Sequence, residues 1–187
     1  MSDFDIWLSP PDLSGNERKY VSDVFDSNWI APAGPHINKF ENKLALFLKS
    51  KNVVALSSGT AAIHLSLQIL GVKKGDSVIC QSLTFVGSAN PILYCNAEPI
   101  FIDSETETWN MCPLLLERAI NDSLKINKKP KAIILVHLYG MPAKINEIKE
   151  ISKKFDIPLI EDAAEALGSN YDGCLLYTSD AADDRVS

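Results

Sequence analysis

The sequence holds no run of five or more Lys or Arg, no CxxC pair, no internal repeat and no stretch approaching the eighteen or so apolar residues of a membrane span. Each absence removes a class of protein. With 18 Lys and Arg against 24 Asp and Glu the net charge is −6, so neither a nucleic-acid backbone nor an anionic membrane is an expected partner. The four cysteines, at 80, 95, 112 and 174, sit inside otherwise apolar stretches. That usage suits reduced thiols in a cytoplasm better than a disulfide frame. The opening MSDFDIWLSPPDL carries Asp3 and Asp5 where a secretory leader would need positive charge. What remains is 187 residues with 46% apolar content, enough for one domain with a real core.

After the turn-forming Ser9-Pro10-Pro11, Ser14 and Glu17 have the spacing of a capping box, and Tyr20, Val21, Val24 and Phe25 add an apolar stripe. A short helix is expected there. Residues 28–35 read as a Pro- and Gly-rich loop carrying Trp29, and Ile37, Phe40, Leu44 and Leu48 recur at helical spacing after it. From residue 53 the pattern becomes regular. Strands are expected at 53–56, 77–80, 99–103, 132–136 and 157–160, separated by helices at 61–70, 84–95 (bent near Pro91), 113–120 and 146–155. Strands alternating with ten-residue helices imply right-handed β-α-β crossovers and a parallel sheet covered on both faces. The fold class is α/β. The last stretch, CLLYTSDAADDRVS, breaks the rhythm and reads as an irregular or foreign tail.

In an open parallel sheet, ligands collect beyond the carboxyl ends of the strands. That rule selects four places. Ser57-Ser58-Gly59-Thr60 leads straight into a helix, offering backbone N–H groups and a hydroxyl to a phosphate, or simply an N-capped turn. Thr84-Phe85 follows the second expected strand, where an aromatic ring stacks on a planar ligand or joins the core. His137 follows the fourth, as an acid or base or as a hydrogen-bonded structural residue. Glu161, Asp162 and Glu165 follow the last. There Asp162 pairs with a ring nitrogen, binds Mg²⁺ or forms a general acid/base pair together with Glu161, or caps a following helix. No His, Cys or third carboxylate is spaced with them for a stronger metal site, so none is expected.

Six ordered blocks then carry a resemblance: LSPPDLSGNERKY, SNWIAPAGPHINKFE, SSGTAAIHLSLQILGVKKGD, TFVGSANPILYCNAEPIFIDSETETWN, KAIILVHLYGMPAKINEI and IPLIEDAAEALGS. Along most of residues 8–172 the chain resembles the pyridoxal-phosphate-dependent nucleotide-sugar aminotransferases of the DegT/DnrJ/EryC1/StrS type. The nearest branch is the transaminases of UDP-linked 4-keto-6-deoxy-N-acetylglucosamine, as in bacillosamine synthesis, with GDP-perosamine synthases close behind through the TWN segment. The resemblance implies the large domain of a type I pyridoxal-phosphate transferase, partial here. Residues 1–36 would form an N-terminal helix and substrate-side loop, 37–173 an incomplete cofactor-binding domain, and 174–187 a departing tail.

It also implies residue roles. Gly59 and Thr60 would hold the phosphate of pyridoxal 5'-phosphate, Phe85 would stack on its ring, and Asp162 would pair with the pyridinium nitrogen. Glu165 would lie near the ring's phenolic edge, and Trp29, Ile30 and Gly34 near the sugar nucleotide or a subunit boundary. The reaction implied moves an amino group from glutamate to a nucleotide-linked keto-deoxy sugar in a cytoplasmic homodimer, making an amino sugar for cell-surface polysaccharide. The departure from the pattern is a lysine: family members carry the cofactor on one beyond the Glu-Asp-Ala-Ala segment, and no lysine follows Lys154 here. The chain is therefore expected to be an N-terminal fragment without turnover, its sheet edge and one apolar surface uncovered. For the literal chain the competing reading is a phosphate-ligand-binding α/β module without chemistry.

Overall fold

The computed structural model describes residues 11–13, 15–171 and 174–175. Two helices open it, α1 (Glu17–Asp26) and α2 (Pro35–Leu48). Ser14 lies outside the described residues. Asn16 is the residue at the N-cap of α1, and the Glu17 carboxylate accepts the Gly15 N–H at 3.1 Å. Glu17, the first residue of α1, thus ties the chain just before the helix, and the box expected with Ser14 falls outside the described residues. Gly34, at φ +128°, precedes Pro35, and a Cβ at Gly34 would stand 2.9 Å from the Trp29 ring. Only glycine fits beneath that indole.

Four parallel strands form the sheet in the order β2-β1-β3-β4: β1 (Ser77–Gln81), β2 (Glu98–Ile102), β3 (Ala132–Val136) and β4 (Leu159–Asp162). The helices between them are α3 (Gly59–Ile69) before β1, then α4 (Val86–Tyr94), α5 (Pro113–Lys125) and α6 (Ile145–Phe155). A two-residue antiparallel pair, β5 (Asn170–Tyr171) with β6 (Cys174–Leu175), follows. Strand alternation divides the core in two. Ile79, Ile133 and Leu135 face α5 and α6 through Leu116, Ile120, Ile145 and Ile148. Val78, Cys80, Ala132, Ile134 and Val136 face α3 and α4 through Ile63, Leu67 and Ile92. Every residue of β1 and β3 is buried; β3 reads as a continuous apolar run, and β1 is apolar at its three central positions between Ser77 and Gln81.

Two strand expectations are corrected. Residues 53–56 form no strand among the described residues; Val54 is 72% exposed, and the Ala55 N–H is taken by Glu41 Oε1 at 2.8 Å. The apolar run there is real, but a strand also needs a neighbour, which composition does not report. The last strand runs at 159–162, two residues later than expected. Pro158 has no N–H to enter the ladder and contributes only its carbonyl, to the Ile133 N–H at 2.9 Å. Glu161 and Asp162 are therefore the end of β4 itself. Pro91 lies inside an unbroken α4. Among the described residues no helix is long and apolar enough to cross a membrane.

A polar loop follows β2. Burial alone would push the Glu105 carboxyl up, but hydrogen bonds from the Thr108 hydroxyl, the Glu107 and Thr108 N–H groups and the Lys144 ammonium hold it at about 2, against an ordinary 4.5. A carboxyl depressed by folding stabilises the fold fully above its unfolded value and loses that contribution as pH falls toward the folded one. Between about pH 4.5 and 2 the wild-type thermal midpoint should therefore fall more steeply than that of Glu105→Gln. The variant should already be the less stable at neutral pH. Parallel melting curves across that window would exclude this account of Glu105.

Candidate functional site

The chain reverses direction across the sheet between β1 and β3. From β1 it leaves to α4 on one face, and from β3 to α6 on the other, although the two strands are neighbours. Connections that diverge to opposite faces open a crevice at the carboxyl ends of the strands between them. A cavity of about 570 Å³ lies there.

Its wall is assembled from five loops and helix starts. Ser58, Gly59 and Thr60 come from the start of α3; Thr84, Phe85, Gly87 and Ser88 from the turn into α4; His137 and Tyr139 from the exit of β3; Asp162 from the tip of β4; and Glu165 from the turn after it. Ser58 Oγ caps α3 by accepting the Ala61 N–H at 3.1 Å. The N–H groups of Gly59 and Thr60 are left without an intrahelical partner, as at every helix start. A Cβ on Gly59 would meet nothing within 4 Å, whereas one on Gly87 would come within 2.9 Å of Thr60 Oγ1 and 3.0 Å of the Phe85 ring. Gly87 thus lets the Thr60 hydroxyl and the Phe85 ring lie close to α4. Phe85 is 78% exposed, so its ring is a surface for something else to pack on.

Asp162 is half-buried and tied on both oxygens. Ser88 Oγ donates to Oδ2 at 2.6 Å, and the Ala164 N–H reaches Oδ1 at 3.3 Å. Residues 163–169 form turns, so no helix follows for Asp162 to cap. Shared Mg²⁺ binding with Glu161 is also ruled out by strand alternation. Glu161 turns toward His137 Nε2 at 3.6 Å and Lys149 at 3.7 Å, whereas Asp162 turns toward Ser88. Among the described residues no group of three His, Cys, Asp or Glu could hold a metal ion.

His137 is 1% exposed, and its Nδ1 accepts the Ala143 N–H at 3.1 Å. Neutral imidazole then carries its proton on Nε2, which fits the structural reading of this residue. The Cys80 thiol is pushed up to about 12, first by burial and then by the charge of Asp162, so it stays protonated and is no nucleophile. Tyr139 stands at φ +52°, and its N–H donates to Glu165 Oε2 at 2.8 Å. Beside it Gly140, at φ +81°, has no Cβ to strike the Glu165 carbonyl, which lies 2.9 Å from that position.

Of the residues singled out from sequence, Gly59, Thr60, Phe85, Asp162 and Glu165 meet at this cavity. Trp29, Ile30 and Gly34 do not line it; Trp29 packs on Gly34, and Ile30 is exposed. Two contributors escaped the sequence reading. Ser88 looks like an ordinary residue within an apolar helix, and Asn110 like part of a loop. Yet Asn110 is fully buried, its Oδ1 accepting the Leu138 N–H and its Nδ2 donating to the Met141 carbonyl, each at 2.9 Å. It clasps the loop that carries Tyr139.

Taken together, the cavity offers free N–H donors at a helix start, an aromatic face and a carboxylate with an open lone pair. That set suits a flat, phosphorylated ring bearing a basic nitrogen.

Comparison with known proteins points the same way. Residues 11–182 match the model of the DegT/DnrJ/EryC1/StrS aminotransferase family. The chain is 55% identical over 168 residues to EpsN of Bacillus subtilis, assigned by name to the pyridoxal phosphate-dependent aminotransferases, covering 90% of this chain and 43% of EpsN. It is 45% identical to a GDP-perosamine synthase of Escherichia coli O157:H7, covering 87% of this chain and 43% of the synthase. Among solved structures it resembles an aminotransferase of that family from Brucella abortus, with a TM-score of 0.77 at 34% identity over 81% of this chain and 40% of the other. The PLP form of Spr1654 from Streptococcus pneumoniae, named as a sugar aminotransferase, gives a TM-score of 0.81 at 32% identity, over 92% of this chain and 46% of that one. The chain thus spans about two fifths of the length of the curated relatives it matches.

Proposed function

Because the chain belongs to the DegT/DnrJ/EryC1/StrS aminotransferase family, we propose that it forms the cofactor-binding part of a pyridoxal-phosphate-dependent transaminase. Its reaction would convert a nucleotide-linked keto-deoxy sugar to the amino sugar, with glutamate as donor. The observation that carries the reading is the convergence of Gly59, Thr60, Phe85 and Asp162 on one cavity at the reversal of strand order. The GDP-perosamine synthases among the relatives support a nucleotide sugar as acceptor.

When bound, pyridoxal phosphate supplies an electron sink and a carrier for the amino group between donor and acceptor. The chain's own residues hold and polarise it. Gly59 and Thr60 bind the phosphate through backbone N–H groups and the Thr60 hydroxyl, where the helix start favours negative charge. Phe85, exposed in the cavity, would pack against its ring. Asp162 would accept the hydrogen bond of the ring nitrogen. Glu165, fixed by the Tyr139 N–H, places a second carboxylate on the same wall.

Among the described residues no lysine lines the cavity, and none follows Lys154 in the sequence. By itself, then, this chain binds the cofactor without a covalent tether and does not turn over. In the whole enzyme the reaction serves amino-sugar synthesis for surface polysaccharide in the cytoplasm, and the assembly is a homodimer.

Titration with pyridoxamine 5'-phosphate, which needs no lysine, tests the binding. Saturable binding that raises the melting temperature and is competed by inorganic phosphate is the expected result. No saturable binding, or binding indifferent to phosphate, would overturn the reading.

A further inference from the structure

The hydroxyls of Thr84 and Ser88 and the carboxylate of Asp162 form a continuous line, with Thr84 Oγ1 to Ser88 Oγ at 2.8 Å and Ser88 Oγ to Asp162 Oδ2 at 2.6 Å. Chemistry assigns its direction. An ionised carboxylate only accepts, so Ser88 donates to Asp162, and a serine hydroxyl with its single proton committed must accept from Thr84. Ser88 is 1% exposed, so no water competes for that proton. Ser88 stands in the first turn of α4 and Thr84 in the bend just before it, four residues apart, and Ser88 reaches across to β4.

β4 is an edge strand among the described residues, held laterally by β3 alone. The sheet holds the backbone at its tip, where the His137 N–H donates to the Asp162 carbonyl at 3.1 Å, but leaves the Asp162 side-chain rotamer to other partners. We propose that Ser88, backed by Thr84, is a positioning residue that pins Asp162 Oδ2 and leaves the remaining lone pair of Oδ1 as the acceptor for the cofactor's ring nitrogen. This rests on the function proposed above. Two consequences follow for Asp162. Its rotamer is set by α4, the helix whose start also carries Phe85, so the ring-stacking and ring-pairing groups share one rigid support. The bond also commits Oδ2, so Oδ1 is the oxygen left to meet the ring.

The test is the binding of ¹⁵N-ring-labelled pyridoxamine 5'-phosphate to the full chain and to Ser88→Ala and Thr84→Val. The dissociation constant and the pH titration of the ring-nitrogen resonance are both read. Removing a charge-assisted hydrogen bond should weaken binding by about tenfold in Ser88→Ala and move the bound ring nitrogen's titration to lower pH. Thr84→Val, which keeps the shape but removes the backing donor, should shift both in the same direction by less.

If the wild type binds and the ring nitrogen titrates identically in Ser88→Ala, the proposal fails while the function stands. The same holds if Ser88→Ala only lowers the melting temperature. Should Ser88→Ala not fold, an unchanged titration in Thr84→Val overturns the proposal. Absence of binding by the wild type removes the functional reading and this inference with it.

Discussion

Replacing Asp162 by asparagine is expected to weaken pyridoxamine 5'-phosphate binding by roughly two to three orders of magnitude, the loss typical of breaking a desolvated charge pair on one side. Asparagine keeps the shape and can still accept the Ser88 hydroxyl proton through its amide oxygen. What it removes is the negative charge, and the position left for the ring nitrogen then carries either a neutral carbonyl or an N–H₂ that repels a protonated ring. Calorimetric titration at constant pH reads the effect directly. The unliganded fold should hardly change, because Asp162 sits half-buried at a strand tip and its neighbours Ala163 and Ala166, not its own side chain, complete the core. Wild-type affinity in Asp162→Asn would remove Asp162 from the site.

The second large effect concerns stability. Asn110→Ala should cost about 3 kcal/mol, combining two lost hydrogen bonds, a buried Leu138 N–H left unpaired and a side-chain-sized void. Urea unfolding should show a lower midpoint with an unchanged slope, as expected when the surface exposed on unfolding is the same. The damage should also reach the cavity. Tyr139 holds a left-handed conformation that costs a non-glycine residue about 1–2 kcal/mol, and Asn110 is what clasps the residues on either side of it. Without that clasp the Tyr139 N–H no longer meets Glu165 reliably. A midpoint within experimental error of the wild type would show that water replaces the amide.

Much of the site was legible because its residues follow a rule that sequence exposes. Gly59, Thr60 and Phe85 come at helix starts and Asp162 at a strand end, and strand ends in a parallel sheet point to one rim. The central strand β3 was equally plain, since burial on both faces writes an unbroken apolar run, AIILV. Errors arose where the deciding fact was a partner elsewhere in space. Residues 53–56 have a strand's composition and no strand beside them, and the strand at 157–160 slipped by two because Pro158 contributes only one side of the ladder. Ser88 and Asn110 are invisible for the same reason. Nothing local distinguishes a serine that caps a distant carboxylate from one that fills a helix, and Asn110 in its loop looks like any turn residue. The loop residues Trp29, Ile30 and Gly34 were placed near the sugar nucleotide or a subunit boundary by family likeness alone, and they are not part of this cavity's lining.

The bond from Ser88 to Asp162 spans 74 residues of sequence. During folding, the phosphate-side half of the cavity, from Gly59 to Ser88, can form once α3, β1 and α4 meet, all local neighbours along the chain. The other half arrives only after the chain has gone out to β2, crossed over the sheet through α5 and laid β3 and β4 down on the far side. Closing so long a loop costs entropy that is repaid only when β4 docks. The binding site therefore needs β4 in place. A ligand that needs both halves recognises only the sheet with β4 docked, and its binding energy acts as a latch on that strand.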